Sequence, residues 1–282
     1  MSKKYIFLII AILGASSIVY KALELRRAYN AEVQDAFRQF GAAETEILTE
    51  NDISGLPEPV QKYLKYTGVI GKEKVKNFRL LGEGEFKTGK DKSWVKAKAE
   101  QYNFIDNPRR IYYMKLSMSG LPVVGLHVYK DVTATMLIKL AGLVTVGDAK
   151  GEIMNKAETV TVFNDMCLMA PATLIDKRIE WEMIDQLTVK GIFNNNGIKI
   201  SAVLYFNEKG ELINFVSNDR YMTTSGEDYQ NAPWSTPVGE YKEYNGIKLA
   251  SYGEAHWSLP EGDFCYGRIY LKRVEYNLPN NQ

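Results

Sequence analysis

The longest uniform stretch of the hydrophobic pattern comes first: from Tyr5 to Tyr20 no residue is charged, and Lys3, Lys4 and Lys21 flank the run. As a helix it would span roughly 24 Å, a little short of the ~30 Å hydrocarbon core. Lys21 can snorkel, so that Ala22 and Leu23 extend it, and Tyr5 and Tyr20 suit the two interfaces. Residues 1–23 are therefore expected to form a single transmembrane anchor. A cleaved signal peptide stays open, because Gly14-Ala15-Ser16-Ser17 offers small residues, although Ile18, Val19 and Tyr20 carry the run past a cut there. Lys3 and Lys4 before the run nearly balance Lys21, Arg26 and Arg27 after it. The short N-terminal stub decides the orientation, with the main domain expected outside the cytoplasm.

Beyond the anchor the pattern has a helical period as far as Glu50, with Val33, Ala36, Phe37 and Phe40 on one stripe. Residues 24–55 read as a helical stalk. The stretch Asn51–Pro57 breaks it, and a second helix, Pro57–Thr67, follows with Val60, Tyr63 and Leu64 on its apolar face and Gly68 placed to cap it.

The period then changes to two. Tyr112, Met114, Leu116 and Met118 share one strand face, as do Ala134, Met136, Ile138 and Leu140. Ile179, Trp181 and Met183 alternate with glutamates, and Ile198 to Phe206 is the longest clean alternation, after a turn at Asn194–Gly197. Strands are expected over Leu212–Tyr221, near Tyr241, over Ile247–Leu259 and over Tyr266–Tyr276, joined by turns such as Asn245-Gly246 and Glu261-Gly262. One apolar helix, Glu152–Leu174, interrupts them and should cover a face or mouth of the sheet. The expected fold is mainly β (α+β): an N-terminal transmembrane helix, then a curled antiparallel sheet, half-barrel or barrel, with a covering helix, in one domain over residues 56–282.

Charge narrows the partners. Lys plus Arg total 35 against 34 for Asp plus Glu, so no basic field draws in nucleic acid. Eighteen Tyr, 11 Phe and 4 Trp favour a β-rich fold. Cys167 and Cys265 could form one bridge, and neither follows the apolar run closely enough to make a lipoprotein signal.

Familiar chemistry is sparse. Gly84-Glu-Phe-Lys-Thr-Gly89-Lys90 imitates a phosphate loop, but Asp91 stands where Ser or Thr is required, so it reads as a hairpin turn. No cofactor or metal site is expected. The two histidines are His127 and His256, and Glu254 lies on the same strand face as His256. That pair reads as a polar strand edge, as a metal half-site or as an acid–base couple. Around Asp106, the adjacent Arg109 and Arg110 read as an anion clamp or as strand-start charges. Cys167, in the apolar helix, reads as a buried thiol. The remaining candidates are apolar cavity walls: Tyr112, Met114, Leu116, Met118, Met136, Phe163, Met166 and Trp181.

The stretch Leu56-Pro-Glu-Pro-Val-Gln-Lys-Tyr-Leu-Lys-Tyr-Thr-Gly68 resembles the opening of an uncharacterised family of bacterial membrane-anchored proteins, a domain of unknown function. So do Pro233-Trp234, Gly239–Gly246, Gly253-Glu-Ala-His-Trp-Ser-Leu-Pro-Glu-Gly262 and Val274–Asn277. The resemblance implies one architecture over about residues 56–277 and no catalytic residues. The hairpins with a covering helix are also similar to the half-barrel of bacterial lipoprotein carriers, a likeness of fold. The leading expectation is a membrane-tethered, non-catalytic binder of a lipid or other apolar ligand. The alternatives are a scaffold subunit of an envelope complex working through the stalk, and a hydrolase using Glu254 and His256.

Overall fold

The computed structural model describes residues 5, 20–40, 45–118, 120–223 and 225–279. Most of the expected anchor, residues 6–19, lies outside the described residues. Among the described residues no helix is long and apolar enough to cross a membrane.

The period-two segments form one antiparallel sheet. Its strands are β1 (Asn77–Phe86), β2 (Val95–Phe104), β3 (Arg109–Met118), β4 (Leu121–Lys130), β5 (Thr133–Leu140), β6 (Val144–Lys150), β7 (Ile179–Asp185), β8 (Thr188–Asn195), β9 (Ile198–Phe206) and β10 (Leu212–Ser217). The short β11 (Tyr221–Met222) and β12 (Gln230–Asn231) pair with each other apart from it. The sheet is completed by β13 (Trp234–Ser235), β14 (Val238–Tyr244), β15 (Ile247–Leu259) and β16 (Gly262–Tyr276). Its spatial order is β6-β5-β4-β3-β2-β1-β16-β15-β13-β10-β9-β8-β7, with β14 paired to β15. A sheet of this length curls, and here it forms a half-barrel.

That order explains the covering helix. The N-terminal meander ends on one edge of the sheet, at β6, and the next strand, β7, occupies the opposite edge. The chain must cross the whole concave face between them, and it does so as α4 (Glu152–Met169), the helix that follows α1 (Glu24–Gln39), α2 (Glu50–Ile53) and α3 (Glu58–Thr67). Gly151, at φ +95°, makes the turn from β6 into α4. Residues on every side of α4 are buried, including Val160, Phe163, Met166 and Cys167, as expected of a helix enclosed by a sheet. The helix stops earlier than its sequence pattern suggests: Pro171 cannot continue it, and Pro171–Ile175 forms a 3₁₀ turn.

Two cores lie on opposite faces of the sheet. On the concave face, α4 and α3 (Glu58–Thr67) pack with the sheet. Gly68 caps α3 in the left-handed conformation, at φ +74°. The convex face carries α1 (Glu24–Gln39), whose Leu25, Tyr29, Val33, Ala36 and Phe37 meet Tyr102, Phe104, Ile111, Tyr113, Leu126 and Val128. The expected stalk is thus no free-standing spacer, because its apolar stripe is spent on the domain. A short α2 (Glu50–Ile53), held by a Thr49–Asp52 capping box, links α1 to α3. The strand expected over Leu212–Tyr221 stops at Ser217, and β16 begins at Gly262, four residues before the expected start.

Candidate functional site

Between α4 and the concave face lies a cavity of about 320 Å³. Its origin is visible in the strand register. Gly82 on β1 faces Ala99 on β2, and Gly84 faces Ala97, so four side chains that would fill the concavity are missing or reduced to a methyl. The walls are mostly apolar, supplied by Leu80, Met114, Met136, Ile138, Leu168 and Leu271.

One end of the cavity is polar. Arg110, at the start of β3, donates from Nε to Asp165 Oδ2 at 2.8 Å, from Nη1 to Glu158 Oε2 at 3.3 Å and from Nη2 to Gln101 Oε1 at 3.0 Å. Asp165 also accepts from Gln101 Nε2 at 2.7 Å and from Asn103 Nδ2 at 3.2 Å. Glu158 and Asp165 lie two turns apart on one side of α4, so this network pins the helix to β2 and β3. Arg220 approaches from beyond β10, 3.5 Å from Glu158 Oε1, with its guanidinium over the Trp234 ring. Two cations and two anions balance. Burial pushes the Glu158 carboxyl up, but Arg220, Arg110 and His127 outweigh it and hold it below the usual carboxylate range. One donor is left over: Arg220 Nε is buried without a partner.

His127 lines the same cavity, edge-on to Tyr112 at 5.5 Å between centroids. Desolvation lowers its pKa to about 4, with Arg110 and Arg220 acting in the same direction against Glu158. It is therefore a neutral imidazole at pH 7. Burial likewise pushes the Tyr112 phenol up to about 12.

The structure divides the sequence-derived candidates. Tyr112, Met114 and Met136 line the cavity. Leu116, on the same strand face, borders an adjoining, more open depression that shares Gly84 and Ala97 with the cavity, and Met118 is exposed beyond it. Phe163 and Met166 are wholly in the core; Phe163 stacks on Phe193 at 5.5 Å, with Trp181 packed beside it. They are packing residues because α4 presses that side against β8 and β10. The adjacent arginines do not form one clamp. Successive strand residues point to opposite faces, so Arg110 enters the concave cluster while Arg109 turns to α1, donating to Asp35 Oδ2 and Gln39 Oε1 at 3.0 Å each. Asp106 is exposed. The polar half of the site, Glu158, Asp165 and Arg220, was not singled out in the sequence; acidic residues at i and i+7 inside an otherwise apolar helix are the signal that could have found it.

Glu254 and His256 do meet, with His256 Nε2 and Glu254 Oε2 at 2.6 Å, and Cys265 joins them from β16. Glu254 Oε1 accepts from Tyr252 Oη at 2.5 Å and lies 3.6 Å from Arg268 Nε. Tyr252 and His256 hold the carboxyl below its ordinary range, against burial. Arg268 already supplies a cation to this carboxylate, so the trio is a self-neutralised ladder. Burial and the Glu254 charge raise the Cys265 thiol, the reverse of what a nucleophile needs. The Gly84–Lys90 phosphate-loop imitation is the end of β1 and the turn into β2. Both cysteines are unbridged.

Among solved structures, the fold is similar to a domain assigned to outer membrane lipoprotein sorting from Vibrio parahaemolyticus, at 9% identity, TM-score 0.43, covering 78% of this chain and 91% of that one. It is similar to a LolA superfamily protein from Nitrosomonas europaea, at 9% identity, TM-score 0.38, covering 78% and 95%. A DUF1329 family protein from Desulfovibrio piger follows at 12% identity, TM-score 0.36, covering 78% and 92%. These overlaps are loose and assign no ligand to this chain. No curated protein matches it by sequence. Residues 46–269, which include α2, α3, α4, the polar end of the cavity and every apolar wall residue named above except Leu271, match one family, and the chain belongs to that family of unknown function, DUF6544.

Proposed function

We propose that this protein binds an amphiphile without transforming it, holding the apolar part in the cavity under α4 and the polar end against Arg220. The observation that carries the reading is the cavity itself: apolar walls built on a floor of Gly82, Gly84, Ala97 and Ala99, with one unsatisfied donor at the polar end. A volume near 320 Å³ falls at the small end of ligand pockets, which suits a single chain or small lipid. An orphaned buried N–H favours a ligand bearing an acceptor oxygen, since a buried donor without a partner carries its full desolvation cost. Burial holds the cavity's histidine neutral, and the thiol of Cys265 on the neighbouring β15–β16 hairpin is raised rather than activated.

The uncharged run Tyr5–Tyr20 supports a single-pass tether, with the domain on the extracytoplasmic side and the bilayer as the source of ligand. Native mass spectrometry of the full chain, extracted in a mild detergent and offered a mixture of fatty acids and lysophospholipids, tests the reading. One amphiphile retained per chain, lost in Ala99→Trp, is the expected result. A chain that retains and takes up none of them contradicts it.

A further inference from the structure

The end of the sheet nearest the apolar half of the cavity is formed by three turns in a row. The register Ala97↔Leu116, Leu116↔Val123 and Val123↔Leu140 brings the turns after β1, β3 and β5 to the same end. Ala141 N donates to Pro122 O at 2.6 Å, tying the second of these turns to the third. The start of α1 rests on that third turn. Gly142, at φ +70°, is so close to Ala22 that an added Cβ would stand 2.5 Å from its Cα. The uncharged run therefore ends, at Tyr20, beside this edge of the domain.

The first turn, Lys87–Trp94, is polar, but the second and third are greasy where solvent-facing turns are usually polar. Leu121 is 50% exposed, Leu143 44% and Val144 59%, with Leu23 at 50% beside them. Isolated exposed apolar residues mean little, but three on two adjoining turns, with Leu23 beside them, make a patch. Lys21, Lys92 and Lys115 are exposed around it, against a single exposed acid, Asp91, on the first turn. The acids on the neighbouring β15–β16 hairpin are engaged locally, Asp263 by Ser258 and Glu261 beside Lys90.

We propose that this rim is a second membrane contact: Leu121, Leu143 and Val144 enter the headgroup region of a bilayer containing anionic lipid, with the apolar half of the cavity on that side. Apolar turns flanked by lysines match both halves of an interfacial site, hydrocarbon contact and attraction to anionic headgroups. The inference rests on the tether reading, since the tether brings this end of the sheet to the bilayer.

The test uses the full chain reconstituted into vesicles of phosphatidylcholine and phosphatidylglycerol, with brominated phosphatidylcholine as a depth-dependent quencher. Three variants carry a reporter at exposed positions: Leu121→Trp, Val144→Trp and, on the far edge strand, Ile184→Trp. Difference spectra against the parent chain remove the four native tryptophans. Emission from the reporters at 121 and 144 is expected to be quenched several-fold more than that at 184. A chain that floats with the vesicles while all three reporters are quenched equally, or none is, overturns the rim and leaves the tether standing. A chain that does not float with the vesicles overturns both.

Discussion

Arg109 and Arg110 are neighbours in sequence and belong to different faces of the sheet, one bonded to α1 and the other to α4. Arg110 is the more consequential, because removing it takes the shared cation from Glu158 and Asp165 inside the concave core, leaving Asp165 with amide donors and Glu158 with Arg220 alone. Arg110→Ala is expected to lower unfolding stability by about 3–5 kcal/mol, measured by urea titration. Tyr29 behaves oppositely. Its hydroxyl is buried without a partner, so Tyr29→Phe should be neutral or stabilising by up to about 1 kcal/mol in the same assay. His127 sets a pH dependence. With a folded pKa of about 4 and an ordinary unfolded value, the unfolded chain binds the proton first as pH falls. Stability from this residue is whole above about pH 6.5 and declines toward pH 4, by roughly 1–3 kcal/mol given that the imidazole borders a cavity. Urea midpoints at pH 7.5 and 4.5 should converge partly in His127→Phe.

At the scale of elements, hydrophobic period located β3, β5, β9, β15 and both α3 and α4, because each has an uninterrupted apolar face. It passed over β1 and β2, where Gly82, Gly84 and the alternating lysines of Val95–Glu100 replace the usual β-branched residues. Those same small residues make the cavity floor, so the segment least legible as a strand is the one that shapes the site. The register that gathers Arg110, Glu158, Asp165 and Arg220 spans segments more than a hundred residues apart and leaves no local trace. The α1 stripe was legible, but sequence could not say that it faces this domain. The packing of α4 makes a sharp expectation: a Cβ on Gly191 would lie 2.7 Å from the Phe163 ring. Gly191→Ala should cost about 1–3 kcal/mol by urea titration, and Phe163→Leu in the same chain should recover part of it.

The whole molecule is two meanders closed by β1 against β16, with one helix drawn across the concave face because the chain must pass from one sheet edge to the other. That geometry separates two tasks. The polar network fixes where α4 lies, and the small residues beneath it leave space that the network does not fill. The central claim is that this space is a ligand site, and equilibrium uptake of a fluorescent fatty acid by the full chain in detergent, compared with Ala99→Trp, tests it most directly. The account predicts saturable, one-to-one binding that falls at least about tenfold in Ala99→Trp while its urea midpoint stays near that of the parent, a loss of roughly 1.4 kcal/mol in binding. Binding that is unchanged when the floor of the cavity is filled would contradict it.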